Sequence, residues 1–262
     1  MTVKDALQLA ERELAAAGVD TPRVDAELLV AHTLGVSRSQ IYVDTQREVP
    51  DTFQVLLEQR RRREPLAYVL GEWGFRHLTL KTDARALVPR PETEVVVERA
   101  LALIADLPEP RVLDVGTGTG AIALAIADEH PGARVTAVDT SPDALALARE
   151  NAARLGRDVQ LRHAGIEAAA EGWDLVVANP PYIPQATLTT LPPELSWEPH
   201  EALVDVGLHE QIARKAKTRY LVFEVGYGQA PAVAKTLKEL GYSHVTITRD
   251  LAGKERVVEG RR

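Results

Sequence analysis

The sequence predicts an α/β fold in which a mostly parallel seven-stranded sheet, covered on both faces by helices, follows a small all-α bundle and a β-hairpin linker. Two observations carry that prediction. Up to about Gly71 the apolar residues recur at a three/four spacing between stop signals, whereas farther on short apolar runs of strand length alternate with helical runs to the chain end. The change of period sets the expected boundaries: helices over 1–71, linker over 72–90 and the sheet domain over 91–262.

Thr2 with Asp5 caps a first helix that carries Val3, Leu7, Ala10, Leu14 and Ala17, and Gly18 ends it. Thr21-Pro22 opens a second, with proline at the favoured first position, Val24, Leu28, Ala31 and Leu34 on one face, and Gly35 as its stop. Ser37 with Gln40 marks a short third. Asp51 with Gln54 opens a fourth through Phe53, Leu56 and Leu57, which Pro65 breaks before an apolar turn from Leu66 to Leu70. The stretch from Phe75 to Lys81 then alternates as a strand, and Asp83-Ala84-Arg85 supplies a turn, so the linker reads as a hairpin. Buried strands follow at Arg111 to Val115, Val135 to Asp139, Val159 to Arg162, Asp174 to Ala178, Tyr220 to Val225, His244 to Thr248 and Arg256 to Glu259. Helical runs such as Ala121 to Glu129 and Pro142 to Leu155 fall between them. A parallel sheet of this kind binds ligands beyond the carboxyl ends of its strands.

Composition narrows the chemistry. The chain has 262 residues, 45% hydrophobic and 26% charged, which is the composition of a folded globular protein. It has no cysteine, so disulfides, thiolate metal centres and thiol nucleophiles are excluded. No apolar stretch reaches the roughly 20 residues of a membrane span, and the first residues lead straight into a charged amphipathic pattern, so a cytoplasmic location is expected. With 31 basic and 38 acidic residues the balance weighs against a duplex nucleic acid partner. The run Arg60 to Arg63 reads as a solvated helix face near a carboxyl terminus, with contact to RNA or an acidic protein surface as the alternative.

Two motifs carry chemistry. In Leu113-Asp114-Val115-Gly116-Thr117-Gly118-Thr119-Gly120 a buried strand runs through glycines into a helix, where backbone can approach a ligand closely and free N–H groups face it. Its spacing departs from the dinucleotide fingerprint and the phosphate loop, which argues against NAD and ATP. Asp139 ends the next strand, where a carboxylate accepts both hydroxyls of a ribose; turn and acid together point to a nucleoside ligand. The second motif, Asn179-Pro180-Pro181-Tyr182, directly follows an apolar strand. Its prolines fix the backbone and remove donors, leaving the Asn179 side-chain oxygen and the Pro180 carbonyl as acceptors for a planar –NH2 group, with Tyr182 as a wall over its face. None of the seven histidines has metal-ligand spacing, and His163, His200 and His244 read as packing or surface residues. Glu92 and Glu94 either favour a helix dipole or, with Arg90, order the ligand pocket.

Together these motifs resemble class I S-adenosylmethionine-dependent methyltransferases, which are Rossmann-like enzymes, and among them those acting on a planar nitrogen. Leu87-Val88-Pro89-Arg90-Pro91-Glu92-Thr93-Glu94, Pro65-Leu66-Ala67-Tyr68-Val69-Leu70-Gly71 and Glu198-Pro199 followed by Ala202-Leu203 are similar to the HemK/PrmC family of protein-glutamine methyltransferases that modify peptide chain release factors. The resemblance implies S-adenosyl-L-methionine as cofactor and S-adenosyl-L-homocysteine as product. It places the methionine and sugar parts on Gly116, Thr117, Gly118, Thr119 and Gly120, the ribose on Asp139, and the glutamine amide on Asn179 and Pro180, with Pro181 and Tyr182 packing beside it. No metal is expected. Two stretches depart from the family pattern. The segment His163-Ala164-Gly165-Ile166 lacks the acidic or aromatic residue that flanks adenine, and the stretch between Leu203 and Tyr220 is short and lacks a glycine turn before the next strand.

The expected function is therefore methylation of the Gly-Gly-Gln glutamine of release factors, with the helical domain recognising the partner. A glutamine methyltransferase of a ribosomal protein and an amino-methyltransferase of adenine in nucleic acid are the alternatives, because the same acceptors suit a flipped base. A regulatory module that binds the cofactor without catalysis is a further one, against which the intact Asn-Pro-Pro-Tyr element stands.

Overall fold

The computed structural model describes residues 1–262 and contains two compact units, one of Met1–Glu72 with Pro192–Trp197 and one of Trp73–Leu191 with Glu198–Arg262. In the smaller unit, α1 (Val3–Ala16) opens with the Thr2/Asp5 capping box, and α2 (Pro22–Leu34) closes on Gly35 in the left-handed conformation. A 3-10 turn (Gln40–Tyr42), α3 (Thr52–Arg61) and α4 (Leu66–Leu70) complete it around Leu14, Leu29, Ile41, Phe53 and Leu57.

The face read for α2 needs correction. Val24, Leu28 and Leu34 are only half-buried, while Asp25 and Glu27 are buried with Ala26, Leu29 and Val30. The acids are inside because arginines meet them. Arg60 Nε donates to Asp25 Oδ2 at 2.7 Å, and Arg23, Arg38 and the Tyr42 hydroxyl all donate to Glu27. Breaking such a buried pair from one side costs about 3–5 kcal/mol.

The linker hairpin belongs to the larger unit apart from Glu72, and its turn is not where alternation placed it. Strand β1 (Glu72–Phe75) reverses at Arg76-His77 into β2 (Leu78–Lys81), with Arg76 at φ 50°. Glu94 accepts the Arg76 N–H at 2.9 Å, and the Arg76 guanidinium is held by Glu129, which offsets the strain of that backbone.

The main sheet contains β3 (Arg111–Val115), β4 (Arg134–Asp139), β5 (Gln160–His163), β6 (Trp173–Ala178), β7 (Thr218–Glu224), β8 (Ser243–Arg249) and β9 (Glu255–Arg261). Their order is β5-β4-β3-β6-β7-β9-β8, parallel except for β9, which runs against both neighbours. Side-chain alternation sends Val112, Val135, Leu175 and Val222 to one face, under α5 (Thr93–Ile104) and α6 (Ala121–Glu129). Leu113, Val138, Val176 and Phe223 go to the other, with α8 (Leu208–Lys215) and α9 (Ala230–Glu239). Helix α7 (Pro142–Leu155) begins on the Ser141 cap after β4. The strands advance from β3 outward through β4 to β5, then resume on the other side of β3 with β6, so the switch in direction lies between β3 and β6. A crevice opens at such a point at the carboxyl ends of the strands.

Candidate active site

Register fixes what stands at that edge. Val115 pairs with Val138 and with Ala178, and Ala178 pairs with Phe223. The next residues, Gly116, Asp139, Asn179 and Glu224, therefore form one row across four adjacent strand ends.

Gly116, Gly118 and Gly120 have φ of 76°, 56° and 85°, a backbone that only glycine adopts without strain, and this explains the alternating spacing of the motif. Asp139 locks the turn from across the row, its Oδ2 accepting Gly118 N–H and its Oδ1 accepting Ser141 N–H, both at 2.9 Å. Each oxygen retains a second lone pair for a ligand. Beneath the turn, the fully buried Asp114 accepts Thr117 Oγ1–H at 2.6 Å through Oδ2, while its Oδ1 has no partner. Burial pushes the Asp114 carboxyl up to about 7 despite the Thr117 and Ala123 donors.

A cleft of about 190 Å³ is lined by Gly116, Thr117, Gly118, Thr119, Asp139 and Asn179, together with Pro181, Arg90 and Thr93. Gly120, Pro180 and Tyr182 do not line it. Gly120 caps α6, where a Cβ would meet Leu124 at 2.9 Å, and Pro180 is buried. Tyr182 turns its hydroxyl to Glu224 Oε1 at 3.1 Å, and burial with the Glu224 charge holds its pKa above the usual tyrosine range.

The other motifs also come to this edge. Glu198 accepts Val88 N–H at 3.0 Å and a bond from Arg90, so the segments around Arg90 and Glu198 are tied together beside the cleft that Arg90 and Pro199 line. In the stretch from Leu203 to Tyr220, Gly207, at φ 75°, caps α8, and Ala216-Lys217 then lead into β7 with no glycine turn before that strand. After β5, Glu167 folds back to accept Gly165 N–H at 2.7 Å, which supplies an acid one residue beyond Ile166. His163 and His244 are exposed, as expected of surface residues, and so is His200.

Sequence reading missed Glu224 and the use of Thr93. Thr93 Oγ1 donates to Glu224 Oε2 at 2.6 Å and receives Asn179 Nδ2 at 3.3 Å. Burial raises the Glu224 carboxyl above the ordinary carboxylate range. The available signal was an acid ending an otherwise apolar strand, the same position that singled out Asp139.

Residues 5–71 match the PrmC N-terminal domain, and residues 96–230 match the methyltransferase small domain. The chain is 41% identical over 276 residues to the release factor glutamine methyltransferase of Deinococcus radiodurans, covering 100% of this chain and 99% of that protein. It is 39% identical over 277 residues to the protein of the same name from Vibrio cholerae, covering 99% and 96%. The solved structure of the hMettl16 catalytic domain in complex with MAT2A 3'UTR hairpin 1 superposes with a TM-score of 0.59 at 16% identity, over 80% of each chain, and shares the fold. No helix is long and apolar enough to cross a membrane. Matched from end to end by relatives of one name, and carrying its glycine turn, Asp139 and Asn179 around one cleft, the chain belongs to the family of release factor glutamine methyltransferases.

Proposed function

We propose that this protein transfers a methyl group from S-adenosyl-L-methionine to the side-chain amide nitrogen of the glutamine in the Gly-Gly-Gln motif of peptide chain release factors. The observation that carries this reading is the state of Asn179, which lines the cleft with its amide nitrogen already engaged by Thr93, so that its carbonyl oxygen is left to accept from an –NH2 group.

The residues present suit the cofactor. The backbone of Gly116 to Gly120 would hold its methionine and sugar, and Asp139, whose two oxygens each keep a lone pair, would hold the two ribose hydroxyls. When bound, S-adenosyl-L-methionine supplies an electrophilic methyl group on a positively charged sulfur, and the product is S-adenosyl-L-homocysteine.

An amide nitrogen is a weak nucleophile because its lone pair is delocalised into the carbonyl, so positioning dominates. Asn179 Oδ1 and, behind it, the Pro180 carbonyl would accept its two N–H bonds and aim the lone pair, with Pro181 lining the cleft and Tyr182 set back against Glu224. Such orientation is worth about 7–11 kcal/mol at best. The amide proton leaves with or after methyl transfer, to water or to the acceptor oxygens. The helical unit would recognise the folded partner, and translation factors as substrates support a cytoplasmic location.

Incubation with labelled cofactor and, separately, a release factor, a ribosomal protein and duplex DNA tests the reading once the methyl group is mapped. Label on the release factor glutamine is expected. Label on an adenine or on a ribosomal glutamine alone would overturn it.

A further inference from the structure

Glu224 is 1% exposed and both its oxygens accept hydroxyl protons, Oε2 from Thr93 at 2.6 Å and Oε1 from Tyr182 at 3.1 Å. A threonine hydroxyl has one proton to give. Because Thr93 gives it to the carboxylate, its oxygen can only accept from Asn179, and Asn179 must turn its –NH2 toward Thr93. The carbonyl oxygen of Asn179 is thereby assigned to the substrate by a residue that has no contact with it.

We infer that Glu224 is a positioning residue that sets the polarity of the Asn179 amide through Thr93, and so selects an acceptor nitrogen carrying two hydrogens. The inference rests on the glutamine-amide reading of the site. With a proton on Glu224 the chain reverses. Glu224 then donates to Thr93, Thr93 donates to Asn179 Oδ1, the amide rotates, and its –NH2 opposes the –NH2 of the substrate. Two donors face each other and the nitrogen is no longer held.

Every element around Glu224 bears on that proton. Burial favours the neutral form and Glu92, before α5, adds to it; the Thr93 and Tyr182 hydroxyls and Arg256 on β9 favour the carboxylate. His209 on α8 meets the Glu224 main-chain carbonyl at 2.7 Å, and burial lowers its own pKa. Arg256 is shared with Asp250, which leaves the two hydroxyls as the direct partners of the carboxylate.

The test compares wild type with Glu224→Gln, Thr93→Val and Thr93→Ser on release factor, reading kcat against pH and S-adenosylhomocysteine affinity. Glu224→Gln and Thr93→Val are each expected to lower kcat on the order of tenfold or more with cofactor affinity held within about twofold, since one bond to the reacting nitrogen is lost. The acid limb of kcat is expected to vanish in Glu224→Gln, the double variant to lose no more than the larger single loss, and Thr93→Ser to recover most of what Thr93→Val loses. The side-chain amide resonances of Asn179 give a readout free of any substrate: they shift with pH in wild type and not in Glu224→Gln. Resonances that titrate identically in both proteins, or an unchanged acid limb, would overturn the inference even if the release factor is methylated. Failure of wild type to methylate the release factor glutamine would instead overturn the function on which it rests.

Discussion

Arg63 and Glu194, 131 residues apart, are joined by two parallel hydrogen bonds of 2.7 Å, from Nε and Nη2 of the guanidinium to the two carboxylate oxygens. The third nitrogen of Arg63 donates to the carbonyls of Ala17 and Gly18, which follow α1, and Arg60 reaches Glu194 at 2.9 Å as well. Half of the basic run is therefore consumed inside the helical unit and is not a solvated face. Its function there is to hold Pro192–Trp197, a piece of chain that begins 10 residues after Tyr182 and ends just before Glu198.

Glu194→Ala is expected to speed amide exchange over residues 185–197 and to cost roughly 1.5–3 kcal/mol of stability, because charge-assisted bonds are lost. Burial alone would raise the Glu194 carboxyl, but the bonds from Arg63 and Arg60 hold it below the usual range. Its contribution is thus present above the unfolded value and is lost as pH falls through the folded one. Unchanged exchange in that segment at neutral pH would deny the clasp a holding role.

Asp139→Asn is expected to weaken S-adenosylhomocysteine binding by roughly 1.5–3 kcal/mol, since the charged acceptor proposed to hold the ribose becomes neutral and one of its two N–H partners loses its oxygen. Calorimetry decides it. Equal affinity in both proteins would remove Asp139 from the cofactor site.

Asp114 gives a pH dependence of opposite sign to that of Glu194. Its carboxyl titrates near 4 in an unfolded chain and is pushed up to about 7 by burial, so between these values the native state holds the extra proton and stability falls as pH rises. Wild type is expected to lose on the order of 4 kcal/mol across that window, and Asp114→Asn, which cannot titrate, to lack this slope. Denaturant titrations at pH 5 and pH 8 read the difference; parallel curves for the two proteins would contradict the assignment.

Glu194, Asp114 and Glu224 mark the limit of what the sequence disclosed. The central strands β3, β4, β6, β7 and β9 were legible as short apolar runs, and α6 and α7 run over the residues their pattern indicates, whereas β5 and β8, expected to be buried, lie at the two sheet edges and are largely exposed. Asn179 and Asp139 were legible because each ends such a strand and is followed by turn chemistry. Glu224 has the same position but no motif after it, and its meaning lies in Thr93, 131 residues earlier. The hairpin turn at Arg76-His77 was hidden because a positive φ on arginine is allowed only by its contacts with Glu94 and Glu129. Likewise, alternation along α2 could not show that Asp25 and Glu27 are buried, because their partners lie elsewhere in the chain.

Tyr182→Phe removes one of the two hydroxyls that favour the Glu224 carboxylate. Its acid limb in kcat is expected to move to higher pH than that of wild type, the direction opposite to any gain of charge stabilisation. A limb displaced to lower pH would show that the Tyr182 hydroxyl does not act on Glu224.

The helical unit is expected to supply affinity for the whole release factor and to take no part in orienting the glutamine. It presents Val43 at 85% exposure on the rim of a groove of about 330 Å³ that Leu34, Val36 and Arg47 also line. An apolar side chain buried against a partner contributes about 1.5–3 kcal/mol, and contacts remote from the reacting atom raise affinity without changing the chemistry. Val43→Asp is therefore expected to raise KM for intact release factor about tenfold or more while leaving kcat, and KM for a short Gly-Gly-Gln peptide, unchanged. A point variant is the cleaner test. Truncation before Trp73 would also strip Glu194 of Arg60 and Arg63 and so release the segment before Glu198, mixing loss of recognition with a loosened site edge. Equal KM changes on protein and peptide would place Val43 outside the partner surface and leave recognition to the unit that carries Asn179.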